Sequence, residues 1–294
     1  MDTTETISPR YIGLDSWDDE AILDAFVTGQ ERALAGVRQA RTALGHAASA
    51  IVSRLGDSGR IFYVGAGSSG LIAALDGMEL AGTIGWPEAR TVFVMANGRI
   101  LEPGLPGHGE DDAERGRAEM VLMSPAPTDA VIAVSASGST PFTLSAAAAA
   151  RAAGALTIGL ANNRDAPLLR QVELPILLDS GPEIIVGSTR MGAGTAQKAA
   201  LGILSSLTMI RLGHIYDGLM VNLRVDNQKL RRRAIATLVH ISGRSAGEAA
   251  DALDRGGGSV KAAALILRGV APEKTDAILA AAGGNLRTAL ARLA

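Results

Sequence analysis

Hydrophobic residues follow two different periodicities along the chain. In residues 17–55 they recur at helical spacing, which predicts two helices before any strand. After a glycine-containing break at 56–59, short runs of branched apolar residues alternate with helical segments. These runs are 60–65, 91–95, 130–135, 156–160 and 174–178. Because strands that alternate with helices imply right-handed crossovers, the pattern predicts an α/β fold with a doubly wound parallel sheet.

The second half of the chain changes character twice. Residues 189–212 form a long helical candidate, and its charged residues Lys198 and Arg211 argue against a membrane span. From about residue 228, short helical segments are separated by glycines. We therefore predict three parts, which are N-terminal helices packing on the core (1–56), a core domain (57–227) and a small helical domain (228–294).

Acidic and basic residues nearly balance, with 28 Lys and Arg against 30 Asp and Glu and a formal net charge of -2. Such totals give no excess of positive charge that would attract nucleic acid or an anionic membrane. The basic cluster at 231–233 has no second cluster or interleaved aromatic residue beside it, so we interpret it as a solvated helix face. The expected partner is a small molecule, with no nucleic acid and no membrane.

Cysteine usage and the N-terminal segment bear on the compartment. The chain has 0 cysteines, which excludes disulfides and cysteine metal sites and fits a reducing environment. Segment 1–20 is polar and acidic, whereas a signal peptide has a basic start and an apolar run. Uninterrupted apolar stretches stay below the ~18 residues that a membrane span needs. We therefore expect a cytoplasmic protein.

A glycine-rich turn follows the first predicted strand. Residues 65–70 read GAGSSG, and a helix is predicted after them. At the carboxyl end of a parallel strand, the free backbone N–H groups of a helix N-terminus bind anions. Ser68 and Ser69 add hydroxyl donors. The turn therefore predicts a phosphate site that includes Gly67, Ser68 and Ser69.

The same turn matches the dinucleotide fingerprint G-x-G-x-x-G, so NAD binding is the alternative. That site requires an acidic residue after the second strand to hold the ribose. Here the second predicted strand is followed by Ala96, Asn97 and Gly98. The sequence favours phosphate over a dinucleotide.

A second polar turn follows the third predicted strand and again leads into a helix. Its candidate phosphate ligands are Ser135, Ser137, Gly138, Ser139 and Thr140. A lone turn of this kind is usually a helix cap. Because two such turns lie at carboxyl ends of strands in one sheet, we predict that they share a phosphate group. Strand, turn and helix together resemble the sugar-isomerase (SIS) domain, in which such residues bind the phosphate of a sugar phosphate.

Two longer segments carry a closer resemblance. Residues 181–198 read GPEIIVGSTRMGAGTAQK and residues 209–230 read MIRLGHIYDGLMVNLRVDNQKL. Both resemble the N-acetylmuramic acid 6-phosphate etherase family, as do VGAGSSG, LDGMEL, GEDDAERG, SASGSTPF and GALTIGLANN. The resemblance implies a flavodoxin-like sandwich with a small C-terminal helical, UBA-like domain.

The resemblance also implies an activity. Members of the family cleave the D-lactyl ether of N-acetylmuramic acid 6-phosphate to N-acetylglucosamine 6-phosphate and D-lactate, as in peptidoglycan recycling, and no metal or redox cofactor is implied. The reaction needs one group to take the C2 proton and another to protonate the departing oxygen. By position in the motifs we assign Glu79 as the acid and Glu110 as the base, and the reverse division of roles stays open.

Taken alone, the glutamates would have ordinary interpretations. Glu79 would be a surface helix residue and Glu110 part of a solvated helix start. Within the matched segments, Glu183 is a further candidate for contacting sugar hydroxyls and Ser188 for binding substrate. His108 lies two residues before Glu110 and is interpreted as a solvated loop residue. Histidines 46, 108, 214 and 240 show no spacing of metal ligands.

Three positions depart from the family pattern. Leu71, Ser139 and Gly192 stand where the pattern carries cationic side chains. Charge-assisted hydrogen bonds are strong anchors for a substrate with a phosphate and a carboxylate. We therefore expect a divergent member with altered specificity. The alternatives are a sugar-phosphate isomerase and a phosphosugar-sensing regulator on the same fold, and the presence of both glutamates argues against a pure sensor.

The resemblance further implies a homodimer with its active site near the subunit interface. The helical candidate at 189–212 supports this expectation because its many small residues suit close packing against a partner.

Overall fold

The computed structural model describes residues 3–96, 98, 109–223 and 225–293. The chain divides into two compact units. The first comprises Met1–Gly77 and Ala89–Ser205, and the second comprises Met78–Glu88 and Ser206–Ala294. The second unit thus contains the predicted helical domain together with 78–88 and 206–227, so it is larger than the segment 228–294.

The first unit is built on a five-stranded parallel sheet with strand order β2-β1-β3-β4-β5. Its strands are β1 (Ile61–Gly65), β2 (Thr91–Met95), β3 (Ala130–Val134), β4 (Leu156–Ala161) and β5 (Leu174–Leu177). Every residue of β1, β3 and β4 is buried, as the continuous apolar runs of these strands require. The predicted α/β fold and doubly wound sheet are confirmed.

Helices precede, connect and follow these strands. They are α1 (Asp19–Gln39), α2 (Arg41–Leu55), α3 (Gly67–Ile84), α4 (Ala113–Leu122), α5 (Pro141–Ala152), α6 (Pro167–Gln171) and α7 (Gly192–Arg211). The two helices predicted before the first strand are confirmed as α1 and α2, and the long candidate at 189–212 is confirmed as α7. Small residues let α1 approach the segment after β5 closely. A β-carbon on Gly36 of α1, for example, would collide with the carbonyl oxygen of Asp179.

The second unit contains a short ribbon followed by short helices. Its elements are the antiparallel strands β6 (Ile215–Tyr216) and β7 (Leu219–Met220), and helices α8 (Gln228–Ser242), α9 (Ala246–Arg255), α10 (Val260–Ile266), α11 (Thr275–Ala281) and α12 (Leu286–Ala291). Asp217 and Gly218 both have positive φ, as the tight turn of such a hairpin requires. The sequence did not predict the ribbon because strands of two residues show no alternation.

None of the helices within the described ranges combines the length and the apolar character needed to cross a membrane.

A buried ion pair aligns the beginnings of three strands. The carboxylate of Asp129, whose side chain is 2% exposed, lies 2.7 Å from the guanidinium of Arg60. It also accepts hydrogen bonds from the backbone N–H groups of Arg60 and Ala126, at 2.8 and 2.9 Å. The carbonyl of Asp129 accepts from Leu156, the first residue of β4. Asp129 therefore fixes the relative register of β1, β3 and β4.

We predict that Asp129→Asn lowers the free energy of unfolding by about 3 kcal/mol, because the substitution leaves a half-buried guanidinium without its counter-charge. Urea denaturation of the whole chain measures the change. Glu173→Gln is the matched control, since the same loss of charge there affects a partly exposed pair with Arg54 at 3.6 Å and should cost less than about 0.5 kcal/mol. Equal effects of the two substitutions would contradict a structural role for the buried pair.

Candidate active site

The first glycine-rich turn connects β1 to α3 as predicted. Gly67, the first residue of α3, has a φ of 51°, which glycine adopts without strain. Gly65 and Gly70 approach so closely that a β-carbon on Gly65 would lie 2.8 Å from the Cα of Gly70. Ser68 is half-buried and Ser69 is buried. The first N–H groups of α3 have no acceptor inside the helix, so they can donate hydrogen bonds to an anion.

The second turn connects β3 to α5 and is ordered by its own hydroxyls. Ser135 and Thr140 share a hydrogen bond of 2.9 Å between their side-chain oxygens, and the N–H of Gly138 donates to Ser135 Oγ at 3.0 Å. Ser137 Oγ accepts from the N–H of Ser139 at 3.2 Å. The side chain of Ser139 is exposed, whereas that of Ser135 is buried. The predicted ligands therefore form a preorganised turn, in which Ser135 and Ser137 already serve as internal acceptors.

The two turns lie at the same edge of the sheet. Strands β1 and β3 are hydrogen-bonded neighbours, and Gly65 is in register with Val134. The strand order reverses between them, because the chain passes from β1 to β2 on one side and returns to β3 on the other. Parallel α/β sheets bind ligands at such a reversal, outside the carboxyl ends of the strands.

Glu110 lies between the two turns. A β-carbon at position 67 would be 2.5 Å from Oε1 of Glu110, so the carboxylate packs against the glycine and a side chain at 67 would displace it. The carbonyl of Glu110 accepts a hydrogen bond of 3.0 Å from the N–H of Phe142, in the first turn of α5. Its side chain thus contacts the first turn while its backbone is fixed to the helix of the second.

The surroundings of Glu110 favour its neutral form. Partial burial raises the pKa of the carboxyl, and the negative charge of the neighbouring Asp111 raises this pKa further. A carboxyl group with a raised pKa beside an anion-binding turn is suited to proton transfer at a higher pH than an ordinary glutamate.

Glu183 begins α7. Its carboxylate oxygens accept hydrogen bonds from the N–H groups of Gly192 and Ala193, at 2.9 and 2.8 Å. Burial raises the pKa of Glu183, while these two N–H groups and the charge of Arg32 oppose the shift. The side chain therefore acts as a helix cap, with part of its acceptor capacity already used. Its predicted contact with sugar hydroxyls stays a prediction.

Ser188 lies in the turn between Glu183 and α7. Its N–H donates to the carbonyl of Ile185 at 2.9 Å, and its carbonyl accepts from Met191 at 3.1 Å. The side chain is half-buried. Arg190, two residues further on, has an exposed side chain and supplies a positive charge to this turn.

Glu79 lies on α3 but belongs to the second unit. Its side chain is exposed, and its carbonyl accepts a hydrogen bond from the hydroxyl of Thr83. Within the first unit, the contacts of Glu110 bring it to the two predicted phosphate turns.

A buried carboxylate that the sequence analysis missed fixes the orientation of α3. Asp76 accepts hydrogen bonds from the hydroxyls of Tyr63 and Ser205, at 2.8 and 3.1 Å. Burial and the charge of Asp76 raise the pKa of Tyr63 well above its usual value. The signal in the sequence was an acidic residue among apolar ones in LDGMEL, one helical turn before Glu79.

The histidines fall outside this arrangement. His108 and Asn97 lie outside the described residues. His214 Nδ1 lies 2.9 Å from the carbonyl oxygen of Ile84 and 3.0 Å from Nδ2 of Asn222, which is a structural role within the second unit. Among the described residues, no group of three or more acidic and histidine side chains has the arrangement of a metal site.

The three positions that depart from the family pattern occupy different surroundings. Leu71 and Ser139 are exposed, on the first turn of α3 and in the second turn respectively. Gly192 is buried, and a β-carbon there would lie 3.2 Å from Oε2 of Glu183. Larger side chains are thus readily accommodated at 71 and 139, whereas one at 192 would press on the cap of α7.

Comparison with known proteins agrees with this geometry. The SIS domain family matches residues 26–162. Proteins named N-acetylmuramic acid 6-phosphate etherase from Deinococcus radiodurans and Rubrobacter xylanophilus are 45% and 40% identical, over 98% of this chain and 94% and 95% of their own lengths. The protein of that name from Cutibacterium acnes is 35% identical over 98% of this chain and 95% of its own. With similarity of this extent over nearly the whole length, the chain belongs to the N-acetylmuramic acid 6-phosphate etherase family.

Proposed function

We propose that this protein is a carbon–oxygen lyase that converts N-acetylmuramic acid 6-phosphate to N-acetylglucosamine 6-phosphate and D-lactate. The observation that carries the proposal is the carboxylate of Glu110 packed against Gly67, where a phosphate-binding turn begins. The substrate is inferred from the names of relatives that align with 98% of the chain. A cytoplasmic role in peptidoglycan recycling accompanies this activity.

In the proposed reaction, the two turns hold the 6-phosphate, and the open-chain sugar brings its C2 to Glu110, which lies beside the first turn. The carboxylate of Glu110 removes the C2 proton, which the C1 aldehyde acidifies. The electron pair forms the C2–C3 double bond while the C3–oxygen bond breaks, and Glu79 protonates the departing lactyl oxygen. Water then adds hydroxyl at C3 and a proton at C2.

Glu110 can act as the base only at pH values above its raised pKa, where its carboxyl group is ionised. A base with a raised pKa binds the abstracted proton more strongly, provided that it is ionised before reaction. The reverse division of roles places the same raised pKa on the proton donor. The pH profile distinguishes these two assignments.

The missing cations at Leu71, Ser139 and Gly192 favour a second candidate substrate. A phosphosugar without the lactyl carboxylate carries less negative charge and needs fewer cationic anchors. An isomerase acting on such a sugar would use one glutamate for proton transfer, and a regulator would use neither. Arg190 beside Ser188 offers one cation that the lactyl carboxylate could engage, which supports the etherase.

We also propose that the protein acts as a homodimer. On α3, Leu71 and Leu75 are 38% and 45% exposed and lie one turn apart on one face. On α1, Leu23, Val27 and Leu34 form another exposed stripe at helical spacing. Exposed apolar side chains in such register are typical of surfaces that a second copy buries.

We predict that Glu79→Ala lowers D-lactate release by about 10²- to 10⁴-fold, the usual cost of losing a general acid or base. The assay uses N-acetylmuramic acid 6-phosphate in H₂¹⁸O and follows both D-lactate and label at C3 of the sugar. Glu31→Gln, at an exposed position of α1, should leave both unchanged. Absence of lactate from the wild-type protein, with the sugar still raising its melting temperature, would favour the isomerase or the regulator.

We predict that Asp111→Asn shifts the acid limb of the kcat/KM profile to lower pH. The substitution removes a negative charge that raises the pKa of Glu110, so the base becomes ionised at lower pH. Glu114→Gln, an exposed charge on α4, should leave the limb in place. A shift of the alkaline limb instead would assign Glu110 as the acid, and unchanged limbs would argue against Glu110 in proton transfer.

We predict that the wild-type protein sediments as a dimer at micromolar concentration and that Leu75→Arg converts it to a monomer. The new charge would be buried without a partner in a dimer that uses this face of α3. Leu293→Arg is the matched control, because Leu293 is similarly exposed at 41% but lies near the chain end. A wild-type monomer, or equal effects of both substitutions, would overturn the proposed interface.

A further inference from the structure

The N-terminal segment Thr3–Glu5, here called the strap, is held in the first unit by polar contacts. Thr4 is only 1% exposed. Its N–H donates to Oδ1 of Asn163 at 3.3 Å, and its hydroxyl accepts from Nδ2 of the same residue at 3.3 Å. Its carbonyl accepts from the N–H of Gly187 at 3.1 Å. Every polar group of Thr4 is therefore used in tertiary contacts.

Asn163 extends this contact to the second phosphate turn. It follows β4 and is buried, and its Nδ2 also lies 3.3 Å from the carbonyl oxygen of Ala136 and 3.5 Å from that of Ser137. These carbonyls belong to the turn that contains the predicted phosphate ligands Ser135 and Ser137. One side chain amide thus joins the strap to that turn.

On its other side the strap touches the turn before α7. Gly187 donates to Thr4, and a β-carbon on Gly187 would lie 3.0 Å from Oε2 of Glu5. The next residue is Ser188, the predicted substrate ligand of this turn. The strap therefore lies against two turns that come from distant parts of the chain and that both carry candidate ligands.

Hydrophobic burial does not account for this arrangement. The one buried residue of the strap is a threonine, and Glu5 is exposed. Paired polar groups contribute little net stability, since each protein hydrogen bond replaces one to water. What such contacts specify is geometry, because leaving any one of the groups unpaired is costly.

We propose that Thr4 and Asn163 are positioning residues that hold the second phosphate turn and the Gly187–Ser188 turn at the spacing needed to bind a phosphosugar. The proposal rests on the proposed function for the identity of the ligand. Loss of either residue loosens the binding turns and leaves Glu110 and Glu79 in place. Binding of the phosphosugar therefore weakens, while the rate of the bound complex is retained.

The test compares Thr4→Val, Thr4→Ser, Asn163→Ala and the double variant Thr4→Val with Asn163→Ala, all in the full chain. Steady-state lactate release gives kcat and KM. Calorimetric titration with N-acetylglucosamine 6-phosphate gives Kd without requiring turnover. We expect Thr4→Val to raise KM and Kd about fivefold, the equivalent of one hydrogen bond, with kcat within about twofold of wild type.

Two further comparisons distinguish a positioning role of Thr4 and Asn163 from a contribution to stability alone. Thr4→Ser, which keeps the hydroxyl, should bind as wild type does. Thr4→Val should add nothing to Asn163→Ala, because both act through the same contact. Thr157→Val is the matched control, since Thr157 is buried in β4 and its hydroxyl accepts only a structural hydrogen bond from Glu173 N–H. It should lower the melting temperature without changing Kd.

Equal changes of Kd in Thr4→Val and Thr157→Val, or additive effects in the double variant, would overturn the proposal. A wild-type protein that binds N-acetylglucosamine 6-phosphate without releasing lactate from the substrate would refute the proposed activity. In that case the proposed positioning role of Thr4 and Asn163 would still hold if Thr4→Val weakened binding. Failure of the wild-type protein to bind this sugar phosphate at millimolar concentration would overturn both.

Discussion

The geometry of the candidate site depends on the close packing of the Glu110 carboxylate against Gly67, which has no side chain. The carboxyl group occupies the space that a side chain at position 67 would otherwise take. Because the same residue begins α3, its free N–H groups and the carboxyl of Glu110 face one location. Helix N–H donors and a carboxyl group with a raised pKa are thereby brought together at the end of β1.

Buried acidic side chains organise the elements around this contact. Asp129 aligns the beginnings of the strands, Asp76 fixes α3, and Glu183 caps α7. Each is satisfied by several donors, as burial of a carboxylate requires. Packing of Ala, Leu, Ile and Val side chains alone does little to fix how one element is oriented relative to the next. The hydrogen bonds of the acidic side chains fix these orientations.

Much of the fold follows from local pattern. The five strands, α1, α2 and α7 were predictable because continuous apolar runs and helical periodicity are properties of neighbouring residues. The positions of the two glycine- and serine-containing turns were predictable for the same reason, since glycine and serine positions relative to a strand are local. Their binding of phosphate stays a prediction. Glu79 and Glu110, by contrast, could be singled out only through the resemblance to a known family. Without it, the residues around them indicate ordinary surface positions.

What escaped prediction depends on contacts between distant residues. The internal use of Ser135, the cap formed by Glu183 and the anchoring of Asp76 all require knowledge of which elements become neighbours. The strap is the extreme case, because Thr4 and Asn163 are separated by 159 positions. A polar N-terminal segment gives no periodic signal, and only the folded chain shows that threonine 4 is buried.

That separation has a consequence for how the protein is made. The strap is synthesised before the residues that hold it, and its docking site is incomplete until residues near 163 and 187 have been made and β4 has joined the sheet. At translation rates of ~5–20 residues per second, the strap waits roughly 10 to 40 seconds for its partner. A segment that is synthesised early is therefore put in place late.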